Sequence, residues 1–503
     1  MPLQLEFNSQ FEKAVELIEN TANHIFITGK AGSGKSTLLN YIKENTSKNM
    51  VVVAPTGVAA LNVKGQTIHR FFAFPINVTP EKISNLEVTP RVKRIYKQLQ
   101  TLVIDEASML RADVLDCIDT FLQIYGPNTK KSFGGVQLVL VGDLYQLPPV
   151  VTNDEIEFFN KKYKSPYFFS SDAYKKINLT VIELNKIYRQ KDEVFINLLS
   201  RIRNNSATNH DLDMLNKNYS TNDDDGFRIS LTTTNKMADN INKEKLEMLN
   251  SKTFTSHATI EGNFNSEYYP TSDVLELKIG AQIMFLNNDV KNRWVNGSLG
   301  KIEDIKSSDD KIRYLCIRLQ SNSKLVEVFP YEWEIYKYSL IGKEIISDKV
   351  GSFCQFPLRL AWAVTIHKSQ GQTFDKVCID IGNGTFASGQ LYVALSRCTS
   401  LNGIVLRKKL LHKHILCDER IADFMMLNTP YNDENSKITV LKKAINLRKK
   451  IIIHYQKIDG NKSCRVIIPL KIKNDNLLAF CTQRLEQRTF NIERILEINN
   501  FND

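Results

Sequence analysis

The sequence predicts an α/β fold with two α/β domains, a small antiparallel β-barrel inserted in the second, and a small β-rich C-terminal module. Three observations predict it. Short β-branched runs alternate with helix-like stretches over about residues 1–175, which is typical of a parallel sheet covered on both faces. Short strand-like runs occupy about 271–345, after which α/β character resumes. A polar stretch precedes residue 436 and separates the last segment.

Length and composition bound the possibilities. The chain has 503 residues, 42% of them hydrophobic, which predicts about three or four domains with several cores. The 66 Lys and Arg exceed the 55 Asp and Glu, giving +11; this excludes an acidic solvating protein and favours either a polyanionic partner or simple solubility. With no long apolar run and no signal peptide, we expect a soluble intracellular protein without membrane contact. Eight scattered cysteines predict no disulfide framework.

The first domain, residues 1–175, is predicted from four buried strands. Their sequences are HIFIT at 24–28, MVVVA at 50–54, TLVID at 101–105 and QLVLVGD at 137–143. The run TVIELN at 180–185 is assigned to the second domain, which we expect to cover 176–270 and 346–430.

The barrel at 271–345 is predicted from a change of pattern. The runs GAQIMFLNN, GKIEDI, IRYLCIRL and LVEVFP have turn residues between them, which indicates antiparallel strands. Because LRLAWAVTIHKS and KVCIDIG follow, the barrel is predicted to be an insertion. Residues 436–503 form the separate C-terminal module.

A phosphate-binding loop follows the first strand. The segment GKAGSGKS at 29–36 matches G-x-x-x-x-G-K-[ST] between a strand and a helix, which is the context that this motif requires. Glycines let backbone N–H groups surround phosphate oxygens, the lysine reaches the β- and γ-phosphates, and the serine hydroxyl binds Mg²⁺. The predicted ATP-binding residues are Gly29, Gly32, Gly34, Lys35, Ser36 and Thr37.

Two further strand ends supply the groups that hydrolysis needs. Asp105 and Glu106 follow an apolar strand, at the edge where open α/β sheets place ligands. Asp105 is the predicted metal-side carboxylate, together with Ser36, and Glu106 the candidate base. Gln146 lies on the loop after the strand that ends at Asp143. Two interpretations stay open for it: a sensor of the γ-phosphate or attacking water, or a hydrogen-bonding loop residue.

Eight ordered segments resemble superfamily 1 helicase motifs. They are GKAGSGKS, VVVAPTGVAALNV, GQTIH, LVIDEASML, GDLYQLPPV, IYRQ, AVTIHKSQGQT and LYVALSRC. The resemblance covers about residues 5–410 and is greatest to the RecD-related branch that includes the petite-integration-frequency DNA helicases. It implies two RecA-like P-loop NTPase domains with ATP and Mg²⁺ between them, and a small wedge insertion at about 72–98.

The resemblance also implies an activity. A protein of this kind translocates 5′ to 3′ on single-stranded DNA and unwinds duplex or folded DNA, using ATP. Its partners would be single-stranded DNA and single-strand/duplex junctions, with G-quadruplex DNA or RNA–DNA hybrids as further substrates. It would act as a monomer in replication, repair or telomere maintenance, in the cytoplasm (nucleoid) if bacterial.

Several residue roles follow from position in these motifs. Gln10 resembles the glutamine that reads adenine through its amide. Arg189 in IYRQ and Arg397 in ALSRC resemble two arginines brought from the second domain to the γ-phosphate. The resemblance implies a DNA track of Thr56, Gly57, His69, Phe72, Thr234, Asn235, Asn296, Thr365, His367 and Lys368. For Phe72 a core position, and for Asn296 a plain Asn-Gly hairpin turn, are open alternatives.

The C-terminal module resembles a WYL-type fold. Pro469, Arg484 and Arg488 have the expected order, although Asn476-Leu477-Leu478 stands near the place of the Trp-Tyr-Leu tripeptide. Such modules bind single-stranded nucleic acid or other ligands in some proteins. Residues 436–503 carry 14 Lys and Arg against 6 Asp and Glu, so most of the chain's positive charge belongs to this module.

Two rivals to a DNA helicase are considered. One is a nucleic-acid-stimulated translocase or RNA/DNA-hybrid remodeller that hydrolyses ATP without separating strands. The other is a nucleic-acid-binding regulator that uses ATP as a switch. The complete set of predicted catalytic residues favours the motor.

Overall fold

The computed structural model describes residues 7–75, 78–190, 192–221, 227–308, 311–428, 434–446, 448–457, 460 and 462–500. Its first domain is built on a six-stranded parallel sheet of order β3-β2-β4-β5-β1-β6. The elements in chain order are α1 (Ser9–Asn20), β1 (His24–Gly29), α2 (Lys35–Asn45), β2 (Met50–Ala54), α3 (Gly57–Asn62), β3 (Gln66–Thr67), α4 (Ile68–Phe72), α5 (Pro80–Ile83), α6 (Pro90–Gln98), β4 (Thr101–Ile104), α7 (Ala112–Tyr125), β5 (Gln137–Val141), α8 (Asn153–Lys162), α9 (Asp172–Lys175) and β6 (Leu179–Leu184).

Both faces of this sheet are buried. In β1, Phe26 enters one hydrophobic core, whereas Ile25 and Ile27 enter another on the opposite face, because successive side chains of a strand point to opposite sides. The four predicted strands are confirmed as β1, β2, β4 and β5. The predicted doubly covered parallel sheet is therefore confirmed.

One strand was assigned to the wrong domain. The run TVIELN was predicted to open the second domain, but it forms β6, which pairs in parallel with β1 along its whole length, from His24 with Leu179 to Gly29 with Leu184. The first sheet thus extends to residue 184 rather than ending at 175. An apolar run predicts that a strand forms, but it does not predict which other strand pairs with it, because that pairing is between segments far apart in the sequence.

The second domain has a four-stranded parallel sheet of order β18-β7-β19-β20. A long antiparallel insertion separates β7 from β18. The elements are α10 (Glu193–Arg203), α11 (Asn209–Asn216), β7 (Ile229–Thr232), α12 (Asn235–Glu247), then the insertion β8 (Thr253–His257), β9 (Thr259–Gly262), β10 (Val274–Lys278), β11 (Gln282–Phe285), β12 (Leu299–Ser308), β13 (Lys311–Leu319), β14 (Leu325–Val328), β15 (Tyr331–Ile341), β16 (Glu344–Gln355) and β17 (Leu358–Leu360), and finally β18 (Ala363–Thr365), β19 (Val377–Asp380), α13 (Gln390–Ser396), β20 (Ile404–Leu406) and α14 (Glu419–Asn428).

The insertion is larger than predicted. It runs from Thr253 to Leu360 instead of 271–345, and contains sheets of five, three and two strands. Its own core includes Phe285 stacked on Trp294. The extra strands β15 and β16 form a long hairpin that reaches the first domain, where the Tyr338 hydroxyl lies 3.1 Å from both the N and the O of Val52. The turn residues in the sequence predicted the position of the barrel, but they did not predict that β15 and β16 extend from it as a hairpin to the first domain.

The C-terminal module has its own sheet and core. It contains α15 (Glu434–Asn446), β21 (Ile451–Gln456), β22 (Lys462–Lys473), β23 (Asn476–Cys481), β24 (Glu486–Asn491) and β25 (Ile495–Asn500). The antiparallel sheet has the order β24-β23-β22-β21-β25. Helix α14 joins it to the first domain, since Phe424 stacks on Phe169 with ring centroids 4.6 Å apart while Met426 packs against the module's core.

No helix in the described parts of the chain has the length and apolar character needed to cross a bilayer.

Candidate functional site

The phosphate-binding loop connects β1 to α2. Gly29, Gly32 and Gly34 all have positive φ, and Gly34 is the N-cap of α2. At Gly32 the need for glycine is steric as well, because a Cβ there would lie 2.5 Å from the Cβ of Arg189. The backbone conformation of the loop therefore allows its N–H groups to approach phosphate oxygens closely. The loop also packs against the IYRQ segment.

Lys35 is turned into its own loop. Its Nζ donates to the carbonyl oxygens of Gly29 at 2.7 Å and Lys30 at 3.2 Å. Burial lowers the pKa of Lys35, and the carboxylates of Asp143 and Glu106 oppose that shift. The ammonium group is thus placed beside two acids at the carboxyl ends of β4 and β5.

Unsatisfied polar atoms fit a nucleotide here. The Oγ of Ser33 is buried in the loop with no hydrogen-bond partner among the described residues, and such orphans are rare unless a ligand or water completes them. Ser36 and Thr37 stand exposed in the first turn of α2. Gln10 lies at the start of α1, next to Phe11, whose ring would be 3.1 Å from a Cβ at Gly34. The start of α1, which carries Gln10, therefore lies against the phosphate-binding loop through Phe11.

Asp105 and Glu106 follow β4 at the same edge of the sheet. Glu106 has φ 51° and is the N-cap of a short 3-10 turn. Burial and the neighbouring Asp105 raise the pKa of Glu106 to about 7, and burial also raises the pKa of Asp105. A carboxyl that titrates near neutral pH has the proton affinity that suits a general base.

The donor set also fits Mg²⁺. Ser36 supplies a hydroxyl and Asp105 a carboxylate, both hard oxygen ligands, and Mg²⁺ is usually held by one or two protein groups together with phosphates and water. Among the described residues, no group of three or more His, Cys, Asp and Glu side chains is arranged to hold a metal ion by itself.

Arg189 and Arg397 meet at this edge. Arg397 is buried, and its guanidinium donates to the Val393 carbonyl at 3.0 Å and the Ser396 hydroxyl at 3.0 Å. Arg189 donates to the Ser396 carbonyl at 3.2 Å. Burial and the charge of Arg189 lower the pKa of Arg397 to about 9, which leaves it charged at neutral pH. Two cations are thus concentrated beside the phosphate-binding loop.

Gln146 lies at the contact between the two domains. It is buried, and its Nε2 is 3.5 Å from Oδ2 of Asp143. The main-chain carbonyl oxygen of Gln146 would be 2.5 Å from a Cβ at Gly389 of the second domain. The structure therefore puts Gln146 near the site and at the interface, which agrees with either interpretation of its role.

The first-domain DNA candidates divide into surface and core positions. Thr56 accepts from the Ala59 N–H and caps α3, and Gly57 is half-exposed. His69 is half-buried, and burial lowers its pKa. Phe72, however, is fully buried and packs among Phe74, Tyr96 and Phe121. The predicted DNA contact at Phe72 is wrong, because its ring fills the core under the α4 turn.

The second-domain candidates follow β7 and β18. Thr234 and Asn235 are exposed at the start of α12, where Thr234 accepts from the Met237 N–H. Lys368 is exposed and His367 half-buried. Thr365 is buried, and its hydroxyl accepts from the Lys368 N–H at 3.3 Å. The prediction of direct DNA contact by Thr365 is therefore corrected: this side chain shapes the turn that carries the other two.

Asn296 belongs to the insertion. Its side chain is half-buried in the turn after Trp294, and its backbone N–H donates to Oδ1 of Asn288 at 2.9 Å. The next residue, Gly297, has φ 93°. The turn interpretation describes this residue's local structure, while a DNA contact there stays a prediction.

Three polar residues at the domain interface were missed as site residues. Tyr392 of α13 reaches the Ala31 N–H at 3.0 Å and Asp143 at 3.3 Å, and Arg203 of α10 pairs with Asp143 at 3.0 Å. Tyr392 stands inside the quoted motif LYVALSRC, but neither spacing nor residue type indicates that a tyrosine will contact a loop more than 350 residues earlier.

These features define a P-loop ATPase whose nucleotide site lies between two α/β domains. The phosphate-binding loop and acids come from the first domain, and Arg397 with Tyr392 comes from the second. Such a site can bind a nucleoside triphosphate and link its hydrolysis to relative movement of the domains.

Comparison with known proteins identifies the group. Residues 3–212 match the family model of PIF1-like helicases, and 436–499 match that of the WYL domain. The chain is 31% identical to the ATP-dependent DNA helicase Pif1 of Campylobacter jejuni, over 76% of this chain and 88% of that protein. The chain belongs to the PIF1-like helicase family, which confirms the resemblance seen in the motifs and makes the protein an ATP-dependent helicase.

Solved structures agree. Bacteroides sp. Pif1 in complex with ADP-AlF4 superimposes with a TM-score of 0.77 at 37% identity, covering 83% of this chain and 96% of that one. Bacteroides Pif1 bound to single-stranded DNA gives a TM-score of 0.60 at 36% identity, with the same coverage of both chains. The predicted two-domain P-loop fold is thereby confirmed.

Proposed function

We propose that this protein is a DNA helicase that uses ATP to translocate 5′ to 3′ on single-stranded DNA and to unwind duplex or folded DNA. The observation that carries the proposal is the composite site: Lys35 and Glu106 come from one α/β domain and Arg397 from the other. A site of this kind changes its completeness as the domains approach and separate, which is what a motor requires.

Hydrolysis follows from the groups present. Backbone N–H groups of the loop and Lys35 bind the phosphates, and Glu106 accepts the proton of the attacking water. Arg189 and Arg397 stabilise charge on the transferred phosphoryl group, and an arginine supplied to a phosphoryl-transfer site in this way is worth about 10³–10⁵ in kcat. When bound, Mg²⁺ neutralises phosphate charge, and Ser36 and Asp105 would hold it.

The DNA track is proposed along the strand ends of both domains. Thr56, Gly57 and His69 in the first domain, and Thr234, Asn235, His367 and Lys368 in the second, are at least partly accessible. They offer hydroxyl, amide, imidazole and ammonium groups, which bind a sugar-phosphate backbone without reading sequence. Single-stranded DNA and its junctions with duplex are therefore the proposed partners. G-quadruplex DNA and RNA–DNA hybrids are proposed as further substrates. The enzyme is proposed to be an intracellular monomer, located in the cytoplasm (nucleoid) if bacterial.

The C-terminal module is proposed as a second nucleic-acid contact. Its sheet presents exposed cations, among them Lys471, Lys473, Arg484 and Arg488. The motor has nearly balanced charge, so the module supplies most of the long-range attraction for a polyanion. This role supplements the motor and does not replace it.

Stimulated ATP hydrolysis combined with unwinding tests the proposal. We expect single-stranded DNA to raise the ATPase rate and a 5′-tailed duplex to be separated, while a 3′-tailed duplex is not. Stimulation without separation of either substrate would identify a translocase. Separation only of RNA-containing duplexes would identify a hybrid remodeller, and full biological activity of Lys35→Ala would identify a regulator.

A further inference from the structure

The Tyr392 hydroxyl joins the two domains at the phosphate-binding loop. It accepts a hydrogen bond from the Ala31 N–H at 3.0 Å and donates one to Oδ2 of Asp143 at 3.3 Å. Ala31 and Asp143 belong to the first domain, whereas Tyr392 lies on α13 of the second. A phenol has one proton to donate and lone pairs to accept, so the two contacts use its hydroxyl in both directions.

Asp143 is held in a form that accepts strongly. The carboxylate is 1% exposed and pairs with Arg203 at 3.0 Å, and the Arg203 guanidinium lies 4.0 Å from the centroid of the Tyr145 ring. Burial alone would raise the pKa of Asp143, but Arg203 and Lys35 outweigh burial and keep the pKa below its usual range. Tyr392 therefore donates to a charged, fixed acceptor, which makes a stronger hydrogen bond than a neutral one.

The Arg397 side chain is bonded to α13. Its guanidinium donates to Val393 and Ser396 of that helix at 3.0 Å each, and makes longer contacts with the carbonyl oxygens of Ser369 at 3.5 Å and Gln372 at 3.4 Å. At the other end of α13, Gly389 has φ 72°, and a Cβ there would lie 2.2 Å from the Tyr145 carbonyl oxygen. The helix is thus seated tightly on the first domain, and Tyr392 is its hydrogen bond to the phosphate-binding loop.

We propose that Tyr392 is a positioning residue for ATP hydrolysis. Asp143 orients the Tyr392 hydroxyl, and the hydrogen bond of this hydroxyl with the Ala31 N–H fixes the position of α13 relative to the phosphate-binding loop. This position of α13 directs Arg397 toward the phosphate site. The inference rests on the proposed function. It assigns to Tyr392 a role in the transition state, through Arg397, rather than in ATP binding.

Tyr392→Phe tests it, because phenylalanine keeps the buried ring and removes only the hydroxyl. A hydrogen bond to a charged group is worth about ten-fold or more in an equilibrium or rate. We expect kcat for DNA-stimulated ATP hydrolysis to fall about ten-fold, with KM for ATP changed less than about three-fold. Tyr163→Phe is the matched control, since the Tyr163 hydroxyl also donates to a buried carboxylate, Oδ2 of Asp116 at 2.8 Å, outside the site.

A double-mutant cycle with Asp143→Asn adds a second readout. If Asp143 acts through Tyr392, the combined loss in kcat should be clearly smaller than the product of the two single losses. A kcat within two-fold of wild type for Tyr392→Phe, or a raised KM with kcat preserved, overturns the inference. Failure of the proposed function is distinguishable, because it appears as absent DNA stimulation or unwinding in the wild-type protein itself.

Discussion

The Lys35 ammonium group donates to the carbonyl oxygen of Gly29 at 2.7 Å, so the main cation of the phosphate-binding loop is bonded to the strand end that begins the loop. The acids Glu106 and Asp143 influence the same cation. In the proposed function, phosphate oxygens take the place of the Gly29 and Lys30 carbonyl oxygens as partners of Lys35 when ATP binds.

Lys35→Ala should lower the rate of ATP hydrolysis by about 10² to 10³, because it removes a fixed positive charge from the transition state. Steady-state phosphate release measures the effect. Lys43→Ala is a matched control: Lys43 also donates to carbonyl oxygens, those of Val63 at 2.8 Å and Lys64 at 3.0 Å, but it lies away from the loop. Equal losses of ATPase activity in both variants would show that Lys35 contributes to the stability of the fold rather than to phosphate binding.

The acid pair predicts a pH dependence. Burial and Asp105 raise the pKa of Glu106 to about 7, and a base must be deprotonated to act. The value of kcat/KM should therefore rise with pH through an apparent pKa near 7 that belongs to the Asp105–Glu106 pair, and be lost below it.

Glu106→Gln should lower kcat by about 10² to 10⁴. It should also remove the rise of kcat/KM with pH through the apparent pKa near 7. Fluorescent-nucleotide binding should persist, since the amide keeps the side chain's shape. A variant that hydrolyses ATP at the wild-type rate would exclude Glu106 as the base.

Arg397→Ala should lower kcat by about 10³ or more with a modest change in KM, because the guanidinium acts on charge that develops during phosphoryl transfer. Arg397→Lys should recover little, since an ammonium group cannot reproduce the planar set of donors. Arg318→Ala is the control, because Arg318 pairs with Glu303 on the surface of the insertion. Rapid-quench measurement of a single turnover separates chemistry from product release.

Phe72 distinguishes packing from DNA contact. Phe72→Ala should lower the free energy of unfolding by about 3 to 5 kcal/mol, because it leaves a cavity in a fully buried aromatic cluster. Phe72→Leu should cost less and leave DNA affinity within two-fold of wild type, as measured by fluorescence anisotropy. His69→Ala should weaken DNA binding with little change in melting temperature. The reverse pattern would restore Phe72 as a stacking residue.

The C-terminal module should govern the salt dependence of DNA binding. Truncation after Asn428 removes a segment with 14 cationic and 8 acidic residues. We expect weaker binding and a flatter plot of log affinity against log salt, with DNA-stimulated ATPase activity retained. Replacing Lys471, Lys473 and Arg484 together by Gln should lower the slope by about 0.7 for each lost phosphate contact. An unchanged slope in both variants would mean that the module's charge is only solvated surface.

Local patterns determined much of this protein. The spacing of Gly29, Lys35 and Ser36 predicted the loop, and apolar runs predicted four strands of the first sheet, because these properties depend on residues close together in the chain. The placement of Asp105 and Glu106 at a strand's carboxyl end followed from the same local information.

Only the tertiary structure decided which surfaces meet. It placed β6 beside β1, extended the insertion to Leu360, and buried Phe72 and Thr365. It also brought Tyr392 to Ala31 across the interface of the two domains. Strand partners and interface contacts are selected by packing between segments far apart in sequence, and a local period carries no record of that selection.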